Sequence, residues 1–342
     1  MADVFSPKER LIRTLEKKET ERPPVICPGG MMNSAIVEVM NVTGHTLPAA
    51  HHDWNLMSAL AEDVHRLTGF ENIGAPFCLT VEAEALGSEI NYGTLGCEPK
   101  IAKEAFPSVE AVQFLPPGTM EKNKRVGTVV QSIAELSKKN PDIPVIGSLT
   151  GPLSAAASLV DPMTFLKQLR KNPADAHRLV AYVCAHLIEY AGLMVENGVS
   201  IITIADPTAT GEILGPRFFK EYALFYLNTL ADAIRALGVP VIIHICGDLG
   251  AVKPYLGELR GDALSVDAMV NLSALKQENS GLIAMGNIST YLLESGAEEV
   301  IAKSTRYLVE QGIDIIAPAC GLSTSTPLGN IQALTRAVTE GK

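Results

Sequence analysis

Long apolar runs are missing from this chain. No stretch approaches the eighteen consecutive apolar residues of a membrane span, although 47% of the residues are hydrophobic. An excess of basic charge is missing too. The 28 Lys and Arg stand against 38 Asp and Glu, a net charge of −10. That excludes the basic stripe on which nucleic-acid binding rests. The short clusters from Glu121 (EKNKR) and Lys138 (KKN) read as solvated surface. Neither a G-x-G-x-x-G turn nor a Walker loop occurs, so a nucleotide-binding reading loses its main support. The first residues, MADVFSPKERLIRTLEKKET, are charged and lack an apolar signal core, so a cytoplasmic location is expected. The six cysteines come without a secretory signal, so no disulfide framework is expected. Internal repeats and composition breaks are absent as well. One domain spanning residues 1–342 is expected.

What is present is a series of short β-branched runs. Eight read as buried strands: PPVICPGG (23–30), FENIGAPFCL (70–79), DIPVIGSLTGP (142–152), the run 198–211, the run 239–248, DALSVD (262–267), GLIAMGNIS (281–289) and GIDIIAPACG (312–321). Helical patterns separate them, over 51–68, 126–140, about 153–170, 174–197, 216–237 and about 327–340. An N-terminal helix over 6–19 has Ser6 as its cap and Pro7 at its first position. The Gly-rich stretch after the second strand, VEAEALGSEINYGTLGCEPK, reads as a hairpin excursion. Strands alternating with helices over short connections predict a parallel sheet covered by helices. Eight of them predict an α/β fold, a (β/α)8 TIM barrel with an N-terminal helical extension.

Chemistry collects where these strands end, the face on which such barrels place their active sites. The strand VPVIIHICGD carries His244 and Cys246 two positions apart, so both side chains point the same way. The strand GIDIIAPACG ends in Cys320. If the two strand ends meet, one imidazole and two thiols converge as a three-ligand zinc site with a fourth position to spare, the pattern of a catalytic zinc. Two thiolates and a neutral imidazole cancel the charge of Zn2+. Such a centre polarises carbonyls weakly but can still lower the pKa of a bound thiol. The ligand set therefore points to alkylation of a thiol. Asp267 is a candidate fourth ligand or a carboxylate orienting His244. Asp206 is a candidate for the same work, or for binding a polar group of the incoming partner. Asn287, Ser289 and Ser323 lie in loops after the last two strands and are candidates for an anion-binding pocket. Cys184 reads as a core filler, and core packing is also expected of Cys27 and Cys78.

These residues resemble the methylcobamide:coenzyme M methyltransferases within the uroporphyrinogen decarboxylase superfamily. The resemblance runs over nearly the whole chain: PKERLIRTLEKKETERPPV from Pro7, IGSLTGPLS (146–154), IADPTATGEILGPRFF (204–219), HICG (244–247), MGNIS (285–289) and APACGLSTSTPLGNI (317–331). It implies a zinc enzyme that moves a methyl group from a methylcobamide, a corrinoid carried on a separate corrinoid protein, to a small thiol such as coenzyme M. Tetrahydrofolate is the alternative acceptor. His244, Cys246 and Cys320 match the family's zinc positions. Asp267 stands where members have Glu. The parent decarboxylases keep an arginine-rich loop after the first strand. Here that loop is CPGGMMNS, without arginine, and Met31 and Met32 are candidates to face the corrin. Porphyrinogen decarboxylation is therefore the poorer reading.

Overall fold

The computed structural model describes residues 4–28 and 35–340. Met31, Met32 and most of the CPGGMMNS loop lie outside them. Nine strands lie among the described residues: β1 (Ile73–Ala75), β2 (Glu89–Asn91), β3 (Lys100–Lys103), β4 (Val145–Thr150), β5 (Ile201–Ala205), β6 (Val241–Ile245), β7 (Ala263–Val266), β8 (Ala284–Ile288) and β9 (Ile315–Pro318). Seven form one parallel sheet in the order β1-β4-β5-β6-β7-β8-β9. Their residues are buried almost throughout, as strands covered on both faces must be. β2 and β3 pair antiparallel outside that sheet.

The sheet has seven strands where eight are expected. The run PPVICP is the one that falls short. It contributes a single parallel bridge, Val25 to Ile316. Pro23, Pro24 and Pro28 supply no N–H, so a longer ladder lacks donors. The segment still ties both edges together. Ile26 N donates to Ile316 O (3.0 Å), Ile316 N to Pro24 O (2.9 Å) and Glu71 N to Val25 O (2.8 Å). Asn72 exchanges two hydrogen bonds with the backbone of Cys27. The fold is thereby TIM-barrel-like, with β9 and β1 joined through Val25.

Several helix boundaries differ from the sequence pattern for identifiable reasons. The N-terminal helix stops at Leu15, and Lys17 turns into the left-handed region at φ 58°. The pattern over 153–170 is two helices, Pro152–Ala156 and Pro162–Lys171, because Asp161 caps a new start by accepting from Thr164 N (2.8 Å). The pattern over 216–237 begins earlier, at Gly211. It kinks at Gly215 (φ 63°) beside Pro216, passes through a π-helical turn at Phe219–Leu224 and runs on to Ala236. The excursion opens with a short helix, Val81–Ala85, before β2 and β3. The helix Pro173–Glu196 is long and apolar enough by composition to cross a membrane. Its stripe of Leu179, Val183, Leu187, Tyr190, Ala191 and Met194 is buried within the protein, which accounts for that composition.

One buried ionic cluster fastens the N-terminal helix to the closing segment. Arg10, fully buried, bonds Glu71 and donates to Glu21 (2.6 Å). Arg22 also donates to Glu71 (2.8 Å), and Glu71 accepts from Val25 N (2.9 Å). Removing one member leaves a buried charge uncompensated, which typically costs about 3–5 kcal/mol. Arg10→Ala should lower unfolding stability by that order in a denaturant titration, whereas the exposed Lys103→Ala should change it by less than about 1 kcal/mol.

Candidate active site

β6 and β9 are not neighbours: β7 and β8 lie between them. Their ends meet across the mouth of the closed sheet. His244 is fully buried on β6 and faces Ser265, its register partner on β7. Nδ1 lies 2.9 Å from Ser265 Oγ, so the Nε2 side of the ring faces the sulfurs. Nε2 lies 3.0 Å from Cys246 Sγ, and Cys246 Sγ lies 3.1 Å from Cys320 Sγ. Cys246 is followed by Gly247, whose φ of 75° turns the chain away immediately after the thiol.

The two thiols share charge unequally. The hydrogen bond from Cys246 holds the Cys320 thiol low against its burial, and the His244 ring adds to the lowering. The same hydrogen bond, together with burial, pushes Cys246 up, because a second negative sulfur so close to the first is unfavourable. The three donor atoms lie within 4.8 Å of one another. A tetrahedral zinc, with bonds of about 2.0 Å to nitrogen and 2.3 Å to sulfur, spaces its ligands roughly 3.5–3.8 Å apart. The donors, 3.0 and 3.1 Å apart, stand roughly half an ångström closer than that. The donor set, its geometry and the oriented imidazole fit such an ion.

The uroporphyrinogen decarboxylase family model matches residues 6–341. A methylcobamide:CoM methyltransferase of Methanosarcina acetivorans is 32% identical over 96% of this chain and 96% of its own. A second, from Methanosarcina barkeri, is 32% identical over 97% of each. A solved structure described as a methyltransferase from Methanosarcina mazei superposes with a TM-score of 0.91 at 31% identity, covering 98% of this chain and 99% of that one. The chain belongs to the uroporphyrinogen decarboxylase family. Within it, the chain groups with the methylcobamide:CoM methyltransferases.

In this family member the other expected site residues take distinct positions. Asp267 stands beside the sulfurs, accepting from Gly247 N and Met269 N at 3.3 Å each. It does not bond His244, because Ser265 holds that place. Asp206 is fully buried and caps a helix from outside. It accepts from Leu153 N (3.0 Å), Ser154 N (2.9 Å) and Ser154 Oγ (2.6 Å). Burial pushes its carboxyl up, and the Ser154 and backbone donors pull it back. Gly151 is needed here, since a Cβ would stand 2.3 Å from that of Asp206. Asn287 donates to Asp267 O and Val270 O, both at 2.8 Å, and so pins the loop that carries Asp267. Ser289 caps the six-residue helix Thr290–Ser295. Ser323 bonds Ser325, which donates to Glu294.

A cavity of about 550 Å3 opens beside Cys320. Glu98, Lys100, Tyr291, Glu294 and Ser323 help to line it. Its charged lining is mixed, two carboxylates with the cation Lys100. The sequence pattern missed Ser265 and Glu98. Ser265 was within reach, two positions before Asp267 on a strand, once its register against His244 is known. Glu98 sits in an irregular turn that carries no periodic signal.

Because Asp206 satisfies three buried donors, Asp206→Ala should destabilise the protein by about 2 kcal/mol or more, measured by chemical denaturation. A residue confined to contacts with an incoming substrate would leave stability unchanged.

Proposed function

We propose that this protein transfers a methyl group from a methyl-corrinoid, presented by a corrinoid protein, to a small thiol, with His244, Cys246 and Cys320 holding a zinc ion. The observation that carries the proposal is the meeting of that imidazole and those two sulfurs in a chain whose relatives are named methylcobamide:CoM methyltransferases. Zinc, when bound, supplies the charge that keeps a neighbouring guest thiol deprotonated at neutral pH. Ser265 fixes the tautomer and the plane of the His244 ring. The buried position of His244 keeps that ring dry, while Cys246 and Cys320 remain partly exposed to an arriving thiol. The guest thiolate attacks the methyl carbon in line with the carbon–cobalt bond. The bonding pair stays on cobalt, giving a thioether and cob(I)amide. Asp267, which accepts from Gly247 N and Met269 N at 3.3 Å each, would be the nearby carboxylate able to lend a weak fourth ligand when zinc is bound. We place the reaction in the cytoplasm, where reduced thiols persist.

The purified protein should bind about one zinc per chain and demethylate free methylcobalamin when a thiol is added. A chelator should abolish the reaction and zinc should restore it; full activity in metal-free protein would refute the proposal. Ser265→Ala should weaken zinc binding by about 10–100-fold in competition with a chromogenic chelator, without a comparable change in unfolding midpoint.

A further inference from the structure

We propose that Ile213, Met269 and Tyr291 form an apolar rim on which the corrin macrocycle of the methyl donor lies. The inference rests on the methyl-transfer reading and concerns the face of the same site that receives the donor. All three side chains are exposed, at 48%, 68% and 84%. Single exposed apolar residues are ordinary, and Val4 or Met163 needs no explanation. These three differ in position. Each comes after the C-terminal end of a barrel strand: Ile213 after β5, Met269 after β7 and Tyr291 after β8. Cys246 and Cys320 stand at that same end of β6 and β9.

Short links tie each of them to the donors. Ile213 follows Glu212, and a Cβ on Gly247, the residue after Cys246, would meet Glu212 Oε2 at 3.4 Å. Met269 N donates to one oxygen of Asp267, and Gly247 N donates to the other. Tyr291 lines the cavity that Cys320 also lines. The backbone under two of them is held in place. Asn287 pins the Met269 loop through Asp267 O and Val270 O, and Ser289 caps the helix of Tyr291. In-line attack brings the guest sulfur and the methyl carbon to about 3–3.5 Å, with cobalt one bond beyond. The macrocycle then lies across the mouth, its plane perpendicular to the line of attack, and meets the side chains that rise around the donors. Its face is apolar, so covering it with Ile213, Met269 and Tyr291 removes apolar surface from water. Its edge carries amides. Glu212 and Asp248, both exposed beside Gly247, can accept N–H bonds from such an edge and would repel an edge of carboxylates.

The test compares the zinc-loaded wild type with the triple variant Ile213→Ser, Met269→Ser, Tyr291→Ser in demethylation of free methylcobalamin. The acceptor is coenzyme M, or homocysteine if coenzyme M does not serve. The triple variant should lose at least tenfold in kcat/KM for methylcobalamin. Its KM for the thiol should stay within about twofold, and its zinc content and unfolding midpoint should not change. Equilibrium dialysis in the dark, without thiol, should show a matching loss of methylcobalamin affinity. The conservative set Ile213→Val, Met269→Leu, Tyr291→Phe should keep the wild-type values. An unchanged kcat/KM for methylcobalamin in the serine variant would overturn the inference while leaving methyl transfer intact. An equal loss towards the thiol would overturn it too, because the rim would then not be specific to the donor. A wild type that demethylates methylcobalamin with neither thiol would overturn the methyl-transfer reading, and this inference with it.

Discussion

Two sulfurs just past the ends of strands with two other strands between them meet at 3.1 Å because the sheet is closed. In an open sheet the ends of β6 and β9 would stand two strand positions further apart than a direct neighbour, about 14 Å at ordinary interstrand spacing. Closure depends in turn on a short segment with few donors. Val25 and its neighbours bridge β9 and β1 through a handful of backbone bonds, reinforced by Glu71 and Asn72. The ion cluster of Arg10, Arg22 and Glu71 therefore acts at a distance on the site: it holds the stave that makes a ring of the sheet.

The mouth of that ring is polar in an ordered way. Asp206 and Glu82 are buried carboxylates fully committed to protein donors. Asp206 serves the start of the helix Pro152–Ala156. Glu82 accepts from Thr150 N and Thr150 Oγ1. Asn287 ties one loop to the next. These groups fix the loops around the three donors. His244 is the exception among the three donors, held rigid by Ser265 while the thiols stay partly exposed.

Much of this was legible in the residues alone. The spacing of His244 and Cys246 on a β-branched run placed two donors on one face, and Cys320 at the end of another run supplied the third. The parallel sheet followed from the alternation of strand and helix patterns. What was not legible came from contacts distant in sequence. The weakness of the PPVICP strand is encoded in its prolines, yet its bridging role needs the positions of Ile316 and Glu71. Asp206 looked like a reactive carboxylate because it ends a strand; the donors that engage it belong to residues 153 and 154. The helices Leu272–Glu278 and Glu298–Glu310 are not among the elements the sequence pattern predicts. Glu98 has no local signature, and only the cavity around it shows what it faces.

The central claim is that an imidazole and two thiols from this chain hold one zinc ion that admits a guest sulfur. Zinc K-edge X-ray absorption on the loaded protein tests it most directly. The account predicts two sulfur neighbours at about 2.3 Å and one nitrogen at about 2.0 Å, rising to three sulfurs when the acceptor thiol is added. A shell of nitrogen and oxygen alone, or a sulfur count that the thiol leaves unchanged, would contradict it.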